Sequence, residues 1–305
     1  MCIILQTKEI FIVTFYNDDR VFSDLYRSDY SFVNQILSDF YESTIDITST
    51  EITAETLAFE RAYLPEYGGL TTSSAFLTST SGVKETKLIS RGVFVRENML
   101  CQTIPPYPSD IDLSDIISQQ SELALEYLQN ADAHINPAYL TLYKTDHTAC
   151  KGCHETMINP LGLGLENYDA AGKIRDAYEN GINISYIGLN PSADSNNSAL
   201  FGLNNIYNSL EKKPFEGAKA LGDILADSDT AKACYAEMVF RFTMGNGTER
   251  LNNESYYANE LFSDQEKQTN TCAKQGMIQS MDSQNNTIKA AFIQLGLSDS
   301  VRLRT

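Results

Sequence analysis

Cys150, Cys153 and His154 stand in the order Cys-x-x-Cys-His within the run Ala149 to Arg175, ACKGCHETMINPLGLGLENYDAAGKIR, and no other stretch restricts the chain as tightly. Two thiols one helical turn apart can add across the two vinyl groups of a single porphyrin, and the adjacent histidine then presents its imidazole to the iron. The pattern predicts one covalent haem c, attached through Cys150 and Cys153, with His154 as proximal ligand.

Two other uses of these residues compete with it. A thioredoxin-type redox pair calls for a strand and a βαβ setting, and no alternating apolar strand precedes Cys150. Zinc would draw on His147, Cys150, Cys153 and His154 as four N/S ligands, but adjacent Cys153 and His154 would have to turn sharply to share one tetrahedron.

The residues after the triad suggest how such a group is seated. Pro160 is expected to close the helix that carries the thiols, and a carbonyl of the loop beyond it to accept a hydrogen bond from the free Nδ1 of His154. Gly162 and Gly164 are expected to let the backbone pass close to the porphyrin edge. Arg175 is the better candidate for a propionate partner, with an internal Asp169 to Arg175 pair as the alternative. Arg91 is a second candidate, set against a plain surface ion pair.

A second axial ligand separates electron transfer from catalysis, because a filled site favours outer-sphere transfer and an open one admits small ligands. His147 and Met157 fall on the same side as His154 on a continuous helix. Met244 and His134 are therefore the candidates. No catalytic residue is assigned, since no histidine is left with an obvious acid/base partner.

The chain has 305 residues, 42% of them apolar, enough for a buried core and for two or three subdomains. Forty acidic against 23 basic side chains give a net charge of −17, which excludes nucleic acid as a partner and favours a basic redox partner. No stretch is long and apolar enough to span a bilayer, and no signal peptide pattern opens the chain. Haem c is attached outside the bacterial cytoplasm, so the chain is expected to be a C-terminal portion of a longer exported protein, periplasmic or extracellular.

The run from Cys153 to Arg175 resembles the CHxxxxPLGxxxExFDAxGxxR signature of planctomycete-type cytochrome c-like exported bacterial proteins of unknown function. The resemblance rests on Cys150, Cys153, His154, Pro160, Leu161, Gly162, Glu166, Asp169, Gly172 and Arg175, with Tyr168 at the usual aromatic position. YGGLTTSSAFLTST (67–80) and LISRGVFVRENMLCQTIPPYP (88–108) look like the family's middle domain. The segments FEGAKALGDILADS and DTAKACYAEMVFRFTMGNG look like its C-terminal domain, although Asn246 follows Gly245 where the family has arginine. An exported protein favours disulfides, so one bridge is expected among Cys101, Cys234 and Cys272, with Cys101 to Cys234 slightly preferred because both lie in family-like segments and free buried cysteines as the alternative.

The fold expected is mainly α, a cytochrome c-like haem segment within a multi-helix protein of two or three subdomains with at most a short β-hairpin. The boundaries are 1–56, the remnant of a truncated helical domain; 57–187, the middle domain with the haem segment; and 188–305, a C-terminal helical domain. Residues 20–42 read as two helices, the second holding Phe32, Ile36, Leu37 and Phe40, and 112–132 as another. Ile182 to Ile187 alternates like a short strand, and the last sixty residues read as an acidic helix around 256–262 and an apolar one over 288–297. The function expected is electron transfer by a monohaem module in the cell envelope. The alternatives are a peroxidase- or oxidase-type haem enzyme with an open distal site, or a haem-stapled extracellular interaction domain.

Overall fold

The computed structural model describes residues 20–41, 59–83, 85–102, 104, 114, 118, 121–122, 150, 153–177, 215, 217–244 and 263–302. Among them the elements run α1 (Asp24–Arg27), β1 (Tyr30–Val33), α2 (Gln35–Phe40), β2 (Glu60–Tyr63), α3 (Ser74–Ser79), α4 (Leu88–Phe94), α5 (Asn159–Leu163), α6 (Gly217–Ala226), α7 (Asp229–Met244), α8 (Asp264–Ser283), α9 (Ile288–Leu297) and α10 (Asp299–Arg302). Two π-turns, Val95–Met99 and His154–Ile158, follow α4 and precede α5. The protein is mainly α, with one two-stranded antiparallel sheet. The expected helix over 112–132 lies almost wholly outside the described residues. The strand over 182–187 and the acidic helix around 256–262 lie wholly outside them.

The chain divides into two compact units, 1–79 with 222–305 and 80–221. In the first, β1 pairs with β2 in the register Tyr30 to Tyr63 through Val33 to Glu60. Phe32 therefore sits in a strand, not in the helix its spacing suggested. All four residues of β1, Ser31 included, are buried, and a stretch this short has no period that tells strand from helix. The helix begins after Asn34, whose Oδ1 accepts from the Leu37 amide at 3.1 Å and supplies the cap.

The longest described helix, α8, is absent from the sequence reading. Its start is nonetheless written in the chain. Ser263 accepts from the Glu266 amide, and Glu266 accepts in return from the Ser263 amide at 2.7 Å, a capping box. A four-residue turn, 284–287, joins α8 to α9. Asn285 and Asn286 take positive φ of 54° and 58°, which asparagine tolerates better than most residues. Met277 and Met281 of α8 and Ile288, Ala291 and Leu295 of α9 are buried, forming the apolar side of this helical hairpin.

The second unit is organised by a crossing of two short helices. A Cβ on Gly92 of α4 would lie 2.2 Å from the Ile158 carbonyl oxygen, and one on Gly162 of α5 would lie 2.2 Å from the Leu88 carbonyl oxygen. Gly92 thus faces the main chain of the π-turn that leads into α5, and Gly162 faces the main chain of α4. The backbones meet at a distance no side chain allows.

Candidate functional site

Cys150 and Cys153 lie in helical backbone, both thiols are free, and both residues are half-buried. His154 follows as the first residue of the second π-turn. Its ring is partly buried, and burial pulls the imidazole below the ordinary histidine value while its hydrogen bond works the other way. The neutral form is favoured, which is the form that ligates a metal.

The partner in that hydrogen bond is Asn159. Its Oδ1 lies 3.3 Å from His154 Nδ1, so a proton on Nδ1 leaves the lone pair on Nε2. The Asn159 amide N–H also donates to the His154 carbonyl, the i to i−5 bond that defines a π-turn. Asn159 thereby grips His154 through main chain and side chain. The expectation of a loop main-chain carbonyl as partner is corrected: the acceptor is a side-chain amide, buried to 2% exposure.

Pro160 does not close the helix. It stands at the second position of α5, and the chain continues helically to Leu163. A proline interrupts an α-helix by lacking an N–H and by crowding the carbonyl four residues back. The first turn of a new helix requires no such N–H, and the π-turn just before it widens the spacing. The carbonyl of Met157, inside that turn, accepts from Arg96 Nε at 2.8 Å. Arg96 is only 1% exposed, and burial pulls its guanidinium down to about 10.

The residues from Leu165 to Arg175 are held by two arginines. Arg91, with no exposed surface, donates from Nη1 to the Leu165 carbonyl at 2.7 Å and the Tyr168 carbonyl at 2.8 Å, and from Nη2 to the Asp169 carbonyl at 2.7 Å and Ser81 Oγ at 3.1 Å. Neither of the roles weighed for it survives: it is buried, and its planar fork is spent on the loop. Glu166 lies 3.8 Å from Arg91 Nη1 through Oε1, and its Oε2 accepts from Arg175 Nη2 at 3.0 Å and from Thr86 Oγ1 at 2.8 Å. Arg175 Nε also donates to the Glu166 carbonyl.

The ion partner of Arg175 is therefore Glu166, not Asp169. Asp169 instead accepts from the Ala171 and Lys173 amides at 2.9 and 2.8 Å, closing a tight loop in which Gly172 takes φ 79°. Tyr168, fully buried, bridges to Ile174 across the same loop.

Gly162 and Gly164 have a role different from the one expected. The first faces the Leu88 carbonyl, and a Cβ on the second would fall 1.9 Å from the Phe215 ring. Both glycines make room for protein. Among the residues that the sequence reading missed, Asn159 stands out, because a pairing five residues apart appears only when a π-turn re-phases the helix.

Of the candidate second ligands, Met244 is buried at the end of α7 in the first unit, while His134, like His147, lies outside the described residues. Among the described residues no group of three or more His, Cys, Asp and Glu is placed to hold a metal ion. Cys150, Cys153 and His154 thus do not gather into a zinc cluster. A haem iron needs only the one imidazole on its proximal side. Cys101 and Cys234 each stand as a disulfide cysteine and not as a free thiol, and Cys272 is a free, exposed thiol. No helix among the described residues is long and apolar enough to cross a membrane.

Residues 67–178 match the family model PSCyt3, protein of unknown function (DUF1588), a planctomycete cytochrome-like domain. No curated protein and no solved structure matches the chain.

Proposed function

We propose that this chain carries one haem c on Cys150, Cys153 and His154 and serves in electron transfer in the bacterial cell envelope. The observation that carries the reading is the donor set: two free, half-buried thiols in helical backbone beside an imidazole whose Nδ1 is held by Asn159. Such a set fits the group, since attachment needs reduced sulfurs and ligation needs a neutral ring with Nε2 available. The cytochrome-like family model over 67–178 supports the same reading.

Each residue has a separate task. Cys150 and Cys153 would each form a thioether, sulfur bonding to one vinyl carbon while the thiol hydrogen passes to its neighbour, with no oxidant consumed. His154 would occupy the proximal position, and Asn159 would keep its ring oriented. Arg175 keeps 16% of its side chain exposed where Arg91 keeps none, so of the two arginines Arg175 would be the one to meet a propionate. The haem iron, when bound, supplies a one-electron ferric/ferrous couple. The net charge of −17 favours a basic partner protein or domain as the electron source or acceptor.

Production with a haem c maturation system tests this directly. The expected product is a pigment that survives acid-acetone extraction and is lost in the C150A/C153A double variant. A colourless wild-type chain would overturn the proposal. Slow reaction of the ferric form with cyanide would agree with electron transfer through a six-coordinate iron, and rapid reaction would point to an open, catalytic site.

A further inference from the structure

The geometry points to Asn159 as the positioning residue for His154: it fixes the imidazole as the Nδ1–H tautomer and, being a neutral amide, sets how electron-rich that ligand is. This inference rests on the haem reading for its consequence but not for its geometry.

Helical phase carries the argument. In an α-helix successive residues are rotated by roughly 100°, so a residue five positions on points about 140° away from the first and cannot reach it. The π-turn His154–Ile158 spends an extra residue in that turn and brings Asn159 back over His154. The two resulting bonds are the Asn159 N–H to the His154 carbonyl and His154 Nδ1 to Asn159 Oδ1 at 3.3 Å. Neither exists without the other's turn geometry.

The turn is itself held from outside. Arg96 Nε donates to the Met157 carbonyl at 2.8 Å, and the Ile158 carbonyl sits where a side chain on Gly92 would be. Asn159 is 2% exposed, so its amide is not exchanging partners with solvent. A buried, satisfied amide accepting from a histidine is a fixed orienting device.

The chemical identity of the acceptor has its own effect. A carboxylate in the same place would draw the Nδ1 proton more strongly and add negative charge beside the ring, making Nε2 a better donor and favouring ferric iron. An amide does less of both. Asn159 therefore keeps the couple at a higher potential than aspartate would.

The test has two arms on the full chain. In the first, histidine is labelled with 15N, the chain is made without haem maturation, and the tautomer of His154 is read by long-range proton–nitrogen correlation, assigned by loss of its signals in H154Q. The wild type is expected to carry its proton on Nδ1, and N159L to move it to Nε2; a wild-type Nε2–H form, or an unchanged N159L, overturns the assignment. Should N159L fail to fold, the wild-type tautomer and the isosteric N159D, which is expected to retain Nδ1–H, still decide it. In the second arm the haem-loaded N159D is expected to show a lower midpoint potential than wild type, and an unchanged or higher one overturns the tuning role. If wild type never takes up haem, the haem reading falls while the first arm still decides what Asn159 does.

Discussion

The segment Cys150 to Asn159 and the segment Pro160 to Arg175 adjoin in sequence but are built to opposite rules. In the first, reactive groups are left available: two free thiols at intermediate burial, and an imidazole tied, among the described residues, through Nδ1. In the second, polar groups are consumed, with Arg91 and Glu166 buried and shared among main-chain carbonyls, Thr86 and Arg175. Chemistry occupies the front of the signature and architecture its back. A run of motif residues is thus no guide to which of them would touch a cofactor.

The sharpest way to break this contrast is to exchange the outcomes. Arg91→Leu removes the donor of three main-chain carbonyls, those of the buried Leu165 and Tyr168 among them, and the Arg91 contact of Glu166, which keeps Arg175 and Thr86. It is expected to cost about 3–5 kcal/mol. Compared in chains made without haem, C150A/C153A is expected to change the unfolding free energy by less than about 1 kcal/mol, and in matured chains to abolish pigment attachment. Urea unfolding followed by circular dichroism reads the first quantity, and the haem stain of a denaturing gel the second. If Arg91→Leu folds normally and merely loses haem, the architectural role assigned to it is wrong.

Next in size is the helix crossing. G92A and G162A each place a methyl about 2.2 Å from a carbonyl oxygen, Ile158 in one case and Leu88 in the other. Each is expected to cost about 1–3 kcal/mol, because the helices must separate. Once one substitution has forced them apart, the other meets less resistance. The double variant should therefore lose less than the sum. Additive losses would show that the two contacts are independent.

How legible these features are depends on whether their partners are near in sequence. The triad is readable because thiols and ligand lie within five residues, and α9 because the apolar stretch 288–297 is long enough to read as a helix and is one. Arg91 is not readable, since the carbonyls that hold it lie 74 to 78 residues away and carbonyls have no side-chain signature. The glycines were legible as places of close approach, but not what approaches. Tyr30–Val33 reads as helical because four residues are too few to show a period, and only pairing with Glu60–Tyr63 settles it. The start of α8 is written differently: Ser263 and Glu266 spell a capping box, but the helix behind it is mostly polar and shows no apolar period to announce it.

A smaller effect is expected where the back segment turns. Gly172 at φ 79° accepts a Cβ only with strain, so G172A should cost about 1–2 kcal/mol. D169A removes the acceptor for the Ala171 and Lys173 amides and should cost about 1 kcal/mol. Both changes leave Cys150, Cys153 and His154 untouched. Pigment yield per folded molecule is therefore expected to stay at the wild-type level, and a selective loss of pigment would extend the chemical segment beyond Asn159.

The smallest expected effect lies in the first unit, where an ion network exposed to solvent sharpens the contrast with the buried one. Burial alone would raise the Glu237 carboxyl, but Lys274 at 2.7 Å and Arg241 at 2.6 Å outweigh it and hold the group below the ordinary glutamate value. A depressed folded-state value means that the unfolded chain binds the proton more readily. The stabilisation is complete above the unfolded value of about 4.3 and is lost as pH falls through the lower folded value. E237Q should therefore lower stability at neutral pH by less than about 1 kcal/mol and flatten its decline below pH of about 4. Salt should shrink that difference, since the three side chains are 21–31% exposed, and should leave the cost of Arg91→Leu nearly unchanged because Arg91 and the residues of two of its carbonyl partners, Leu165 and Tyr168, have no exposed surface. Unfolding series at two pH values and two ionic strengths measure both, and equal salt sensitivity of the two variants would mean that Arg91 is reached by water.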